Sequence, residues 1–405
     1  MNAIGIDVSK GKSMVAAIRP GGEVIILPFE VEHTASELSA LAKRLKSLDG
    51  ETRVVMEYTG SYYLPVAYAL HEAGLFVSAV HAKLIHDSGK DESIRRVKTD
   101  KADALKIANY GIEKWVKLRQ FVPESDARRM LKLLSRQYNK YGKLKTMLKN
   151  NLISLTDNTF PGVNELFSSP PRPSDGHQKW IDFVTHFWHC ECVCGGSVGM
   201  FAERYRKWCK RMGYRFNPTK AEDIYLSACG HFGVVEKNQF SKSLMIQAAA
   251  QLNAVCETQA AIAREMKHLA QMLPEYPVVS AFFGVGDILA PQLMAEIGDI
   301  YRFKKKGSLV CFAGLEVPVF QSGKFQAKEV PVSKKGSPHL RKALFQVMTC
   351  ILQNAPANDP VFQFLDRKRA EGKHYYSYMT AGCAKFLRIY YARVKEYLDA
   401  LDNVA

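Results

Sequence analysis

Four carboxylates in the first quarter of the chain carry the residue types for metal-assisted chemistry. Asp7 lies in the apolar run Ala3-Ile4-Gly5-Ile6-Asp7-Val8. Glu57 ends the run Val54-Val55-Met56. Asp100 and Asp103 stand three apart in Lys98-Thr99-Asp100-Lys101-Ala102-Asp103-Ala104. That spacing puts the last two on one helical face. A purely structural reading is open for them, with Asp100 as a helix N-cap and Asp103 complementing the helix dipole. Asp7 is harder to explain that way, because strands are depleted of Asp and a buried charge needs compensation. A divalent cation supplies it. Mg²⁺, with Mn²⁺ as its substitute, favours carboxylate, phosphate and water oxygens. Two such ions balance four carboxylates and, at phosphorus, activate an attacking oxygen and stabilise a leaving one. An actin-like sugar-kinase fold also begins with a Gly-Ile-Asp strand, but it needs a small Gly/Thr turn where this chain has Val8-Ser9-Lys10-Gly11.

Other clusters carry weaker signals. Ser322 lies in Gln321-Ser322-Gly323-Lys324, followed by Ser333-Lys334-Lys335-Gly336 and by Arg341-Lys342. A Ser beside Gly in a basic loop is most often a turn. A hydroxyl among cations is nevertheless suited to attacking a phosphodiester, whose developing charge they would stabilise. Gly284-Val285-Gly286 between helical runs resembles a helix-hairpin-helix turn with backbone N–H groups free for a phosphate; a plain tight turn explains it equally well. His186, His189, Cys190, Cys192, Cys194, Cys209, Cys229 and His231 crowd 186–231, but Cys-x-Cys-x-Cys without a second close pair is not a zinc pattern.

The elements that must position these groups follow from periodicity. Residues 1 to about 115 read as strand-strand-strand-helix-strand-helix-strand-helix, the second and third strands joined at Pro20-Gly21-Gly22. A mixed sheet covered by helices is expected, and carboxylates on its first strand, a later strand and a helix start can meet at one edge, as in the ribonuclease-H-like fold. Residues 125–156 and 240–273 each have long helical spacing and could pair with each other or with another chain as a coiled coil. Residues 157–238 read as irregular. Residues 278–402 read as a separate, mainly helical part.

The 405 residues carry 56 Lys plus Arg and 40 Asp plus Glu, a surplus of 16 positive charges. Polyphosphate partners call for such a surplus and small metabolites do not. The charge is concentrated. Eight cations and no acid occupy 128–149, among them Arg128, Arg129, Lys132, Arg136 and Lys140; ten cations and two acids occupy 302–342. A hydrophobic fraction of 47% excludes a disordered basic tail. No apolar run is long enough to span a membrane, and no secretory signal is seen, so a cytoplasmic protein is expected. Nine Cys, an odd number, fit a reducing compartment.

Taken in order, these motifs resemble one family. Gly5-Ile6-Asp7-Val8-Ser9-Lys10, Glu57-Tyr58-Thr59-Gly60 and Lys98 to Ala104 look like the Asp-Glu-Asp-Asp signature of the "one-ten" family of bacterial insertion-sequence transposases, which is related to Piv-type DNA invertases. Gly284-Val285-Gly286, Ala295-Glu296-Ile297-Gly298-Asp299, Phe312-Ala313-Gly314-Leu315, Gln321-Ser322-Gly323 and Ser333 to Gly336 resemble its C-terminal part. Phe283 stands where that family usually has Pro, and 157–238 is longer than in compact members. The resemblance implies a RuvC-like (RNase H-like) α/β domain over 1–120 and a coiled-coil connector over 121–275. A mainly α transposase domain then follows over 276–405. It implies Mg²⁺ held by Asp7, Glu57, Asp100 and Asp103, and Ser322 as a nucleophile forming a covalent phosphoserine–DNA link. It further implies recombination of target and donor DNA guided by a noncoding bridge RNA. Arg128, Arg129, Lys132, Arg136, Lys140, Gly284, Gly286, Lys324, Lys334, Lys335 and Arg341 are the expected nucleic-acid contacts. A homodimer or homotetramer acting at the nucleoid is expected. A water-using, metal-dependent junction resolvase, a protein-read invertase and a non-catalytic scaffold are the competing readings.

Overall fold

The computed structural model describes residues 1–58, 60–88, 99–318 and 330–403, with the backbone alone at 321–322 and 325–326. The chain forms two units, Met1–Pro123 and Glu124–Ala405.

The first unit holds β1 (Asn2–Val8), β2 (Lys12–Ile18), β3 (Val24–Glu32), α1 (Ala35–Lys46), β4 (Thr52–Glu57), α2 (Leu64–Glu72), β5 (Phe76–Val80), α3 (Ala82–Ser88) and α4 (Asp100–Glu113). The strand order is β3-β2-β1-β4-β5. β2 runs antiparallel to β1 on one side and to β3 on the other, and β4 and β5 join β1 in parallel. This is the mixed sheet that the pattern predicts. Only α3 goes unannounced in the sequence, because seven residues are too few to show a helical period.

β1 is the central strand, and all of its residues except Asp7 are buried. Its side chains alternate between faces. Ile4, Ile6 and Val8 join Leu38, Leu41 and Leu45 of α1 and Val66 and Leu70 of α2. Ala3 joins Ala108 of α4 and Trp115 on the other face, where Val55 also meets Ile107. Two apolar layers thus clamp the sheet, and α4 covers the face to which Ala3, Gly5 and Asp7 belong.

The second unit is helical around a long pair. α5 (Asp126–Thr156) and, after α6 (Lys179–Val184), α7 (Glu191–Cys194), α8 (Val198–Met212) and α9 (Pro218–Gly230), α10 (Gln239–Gln271) pack on each other. They run antiparallel. Arg128 near the start of α5 meets Glu275 just past the end of α10, and Gln259 of α10 donates to the carbonyl of Tyr138. The sequence leaves the partner of each long helix open; the structure pairs them within one chain.

Each end of this pair carries a core. One is built from α11 (Tyr276–Ser280), α12 (Leu289–Ile297), α13 (Lys306–Phe312), α14 (Pro338–Asn354), α15 (Pro360–Ala370) and α16 (Tyr375–Asp402). Between α13 and α14 lie two short strands, β6 (Gln321–Ser322) and β7 (Phe325–Gln326). The other core belongs to α6–α9. This corrects the reading of 157–238 as irregular. Phe183, Phe187, Phe201, Tyr205 and Trp208 form one buried aromatic cluster. Cys190 and Cys209 are buried in it, and the ring of His189 bonds to the carbonyl of Val235 at 3.0 Å. Among the described residues no helix is long and apolar enough to cross a membrane.

Candidate active site and nucleic-acid face

In the first unit, register and one close approach set the geometry. β1 and β4 run parallel with Ile6 opposite Met56, so Asp7 and Glu57 follow at the same end of adjacent strands. Both fall on the face that α4 covers. Gly5 decides how near α4 comes. A Cβ at Gly5 would overlap the carbonyl oxygen of Ala104 and the amide nitrogen of Ala108. Only a residue without a side chain allows this contact. It lowers the first turns of α4, which carry Asp100 and Asp103, onto the end of the sheet where Asp7 lies.

Thr99, not Asp100, caps α4: its hydroxyl accepts from the amide of Ala102 at 3.2 Å. The N-cap alternative for Asp100 therefore falls, and its exposed carboxylate is not committed to the helix end. Asp103 and Glu57 line one cleft of about 580 Å³ with Lys83, His86, Asp87 and Lys106. Asp100 lies towards β2, where its charge acts on Lys12. That ammonium is held above its ordinary value by its hydrogen bond to Glu30 at 2.7 Å, with Asp100 and Glu32 adding to the effect. Asp7, Glu57 and Asp103 are each partly buried.

Asp7 and Glu57 thus share one end of adjacent strands and Glu57 and Asp103 share a cleft, while Asp100 lies towards Lys12. Among the described residues, no three His, Cys, Asp or Glu side chains come together as a group that could hold a metal ion. The donors are all hard oxygens, which fits a divalent cation of the Mg²⁺ type. The Gly5 approach is a second feature consistent with that fit.

In the second unit, the family-like motifs meet at the neck of the loop that carries Ser322. Gly314, with φ of 69°, crosses Gly336, and a Cβ on Gly336 would overlap the carbonyl of Phe312. Arg341 locks the crossing by donating to the carbonyls of Ala313 and Gly336 at 2.9 and 3.1 Å. Ser333 bonds to the carboxylate of Glu316 at 2.5 Å. Ser337 caps α14 through the amide of Leu340 and also donates to Glu296, a buried carboxylate that Arg136 pairs at 3.2 Å. Beyond this neck, Ser322 pairs with Phe325 across β6 and β7. Lys324 lies outside the described residues.

The expected nucleic-acid contacts divide. Arg128 grips Glu275 at 2.5 and 3.1 Å in a nearly buried pair, and Arg341 is spent on the loop neck. Both therefore have roles inside the fold. Lys132 pairs with Glu124 at 3.1 Å and Arg129 with Asp126. Lys140, Lys334 and Lys335 are exposed. Gly284, with φ of 75°, presses on Ile351 and Val347 of α14, whereas Gly286 is exposed. Sequence reasoning missed Gly5, Thr99 and the Glu296 network. A Gly inside a central strand is itself a sign of close approach, and Thr-x-x before an apolar run is a capping signal.

A family model described as a transposase of the DEDD IS110 type matches residues 4–161, and a second, for transposases of the IS116/IS110/IS902 family, matches 277–361. The pilin gene-inverting protein of Moraxella bovis is 22% identical over 344 residues, covering 85% of this chain and 80% of that protein. The insertion element IS110 uncharacterized 43.6 kDa protein of Streptomyces coelicolor is 23% identical over 375 residues, covering 91% of this chain and 88% of its own length. A solved structure of T. thermophilus RuvC in complex with a Holliday junction substrate is similar with a TM-score of 0.25 at 16% identity, over 30% of this chain and 99% of that chain. The two family models together span more than half of the sequence and name one group, and the chain belongs to the IS110-type family of transposases.

Proposed function

We propose that this transposase cuts and rejoins DNA strands with Ser322 as nucleophile, with a divalent cation held by Asp7, Glu57, Asp100 and Asp103, and with a noncoding RNA as its guide. The observation that supports the reading is the β1–β4 register, which sets Asp7 and Glu57 at the same end of adjacent strands, together with the close approach of α4 at Gly5. The cation, Mg²⁺ or Mn²⁺, supplies charge stabilisation at phosphorus when bound.

The chain's own residues supply the rest. Ser322 Oγ attacks the phosphorus and loses its proton as the Oγ–P bond forms. The P–O bond to one sugar breaks, and that oxygen takes up a proton and leaves as a hydroxyl. Rejoining reverses the balance: a strand hydroxyl attacks the phosphoserine and the Ser hydroxyl returns. Lys334, Lys335 and Lys324 offset phosphate charge near the nucleophile. Lys140 and its neighbours on α5, with the turn at Gly286, hold the backbone without reading sequence. Base pairing by the guide RNA reads target and donor instead. Residues 1–120, 121–275 and 276–405 act as catalytic domain, connector and transposase domain, in a dimer or tetramer working at the nucleoid.

Two measurements test this. Sequencing the RNA that co-purifies with the protein, expressed with its flanking DNA, should return one discrete species whose loops complement the element's junction and target. Random RNA or none contradicts guidance and favours a protein-read invertase. Asp7→Ala should abolish metal-dependent strand cleavage, and retained cleavage contradicts the carboxylate site.

A further inference from the structure

The helical core of α6–α9 lies between the two stretches matched by family models and takes no part in the proposed chemistry. It contains a cavity of about 620 Å³ lined by Lys179, Arg215 and Lys220, by the hydroxyls of Ser168 and Ser169, and by the half-exposed rings of Phe167 and Phe216. Three cations meet there, and no carboxylate lines the cavity. Lys179 is fixed: its Nζ donates to the carbonyl of Arg215 at 3.1 Å and lies over the rings of Tyr205 and Tyr214. Burial pushes its ammonium below the ordinary value, and the neighbouring charge of Lys220 adds to this. Lys220 has a distant partner in Asp223 at 3.7 Å. Held together in this way, the cations gain from an anion entering between them.

The surroundings point to the same ligand class. α8 carries Arg204, Arg206, Lys207, Lys210 and Arg211 against the single acid Glu203, so the field around this core attracts a polyanion. Hydroxyls and cations suit a phosphate, and a phenyl ring suits a stacked base. The size matches one nucleotide rather than a duplex, being within the roughly 300–1,000 Å³ of small-ligand sites. Extruding a base from paired DNA costs about a few kcal/mol, whereas RNA loops and bulges present unpaired bases without that cost. We propose that this cavity holds one unpaired nucleotide of an RNA strand, its phosphate on Arg215 and Lys220 and its base against Phe167 or Phe216. The assignment to RNA rests on the guided reading above.

The test uses the full chain and three labelled probes: a short oligouridine RNA, an oligothymidine DNA of equal length, and a DNA duplex, followed by fluorescence anisotropy across a salt series. The double variant Arg215→Gln/Lys220→Gln should weaken oligouridine binding on the order of tenfold and lower its salt slope by about 0.7, from one phosphate neutralised on a single strand. The matched variant Lys207→Gln/Lys210→Gln, which removes the same charge from α8 outside the cavity, should cost less. Phe216→Leu should weaken RNA binding with the salt slope unchanged. Equal losses from the two charge variants overturn the cavity site, as does unchanged RNA affinity in a folded Arg215→Gln/Lys220→Gln protein. A loss confined to oligothymidine or duplex overturns the RNA assignment. If only the catalytic reading fails, no serine adduct forms in any protein, yet the RNA affinities still separate.

Discussion

Gly5 is the residue on which the carboxylate end depends. A methyl group there meets helix backbone, which cannot swing aside like a side chain. Gly5→Ala should therefore cost about 1–3 kcal/mol in a urea titration by overpacking. It should also weaken Mg²⁺ binding measured by calorimetry, because α4 must move and carries Asp100 and Asp103 with it. A full-strength site in Gly5→Ala would mean that α4 is not what places them. The four acids stand out as candidates in the sequence because a charged residue in an apolar strand and a pair three apart are strong local signals. The closeness of α4 was not legible, because it depends on which strand the helix crosses, and that is a property of topology.

Among the elements, the long helices were legible because their periods run over many residues, and the succession of strands and helices in the first unit because turn residues punctuate it; the order of strands within the sheet was not. α5 and α10 were expected at 125–156 and 240–273 and lie at Asp126–Thr156 and Gln239–Gln271. The region α6–α9 was hidden only in part. α6 and α7, of six and four residues, are too short to show a helical period, whereas α8 does show one, with Phe201, Tyr205, Trp208 and Cys209 buried opposite an exposed basic face. The region's punctuation was also present: Ser197 caps α8, Gly213 ends it, and Asn217 with Pro218 starts α9. Similarly, Arg128 read as one more cation in a basic run, since a carboxylate 147 positions away cannot be foreseen from periodicity. The pair it forms clips the start of α5 to the corner after α10. Glu275→Ala strands that guanidinium in a nearly buried place and should destabilise the second unit by roughly 3–5 kcal/mol, read as a lowered denaturant midpoint. A loss within experimental error would show that the guanidinium finds water instead.

At the scale of the whole molecule, the surplus behind the net charge of +16 is concentrated on α5, on the stretch around Ser322 and on α8. Binding driven by counterion release should weaken steeply with salt, with a log–log slope of about −0.9 per phosphate neutralised on duplex DNA. Lys140→Gln should lower that slope by about one and weaken binding alike for all sequences, as expected of a backbone contact. Arg128→Gln should leave the slope unchanged while lowering stability, because its charge is spent within the fold. The two units have separate apolar cores. A fragment of residues 1–123 should accordingly unfold cooperatively in urea when followed by circular dichroism.

The central claim is that strand cleavage passes through a covalent serine. The direct measurement is to incubate the full chain with its guide RNA, substrate DNA and Mg²⁺, trap protein–DNA adducts by denaturation, digest them, and identify the DNA-linked peptide by mass spectrometry. The link is expected on Ser322, with no adduct from Ser322→Ala although its RNA still co-purifies, and none from Asp7→Ala. Cleavage that leaves free ends without any protein–DNA link, or a link on a residue other than Ser322, would contradict the claim.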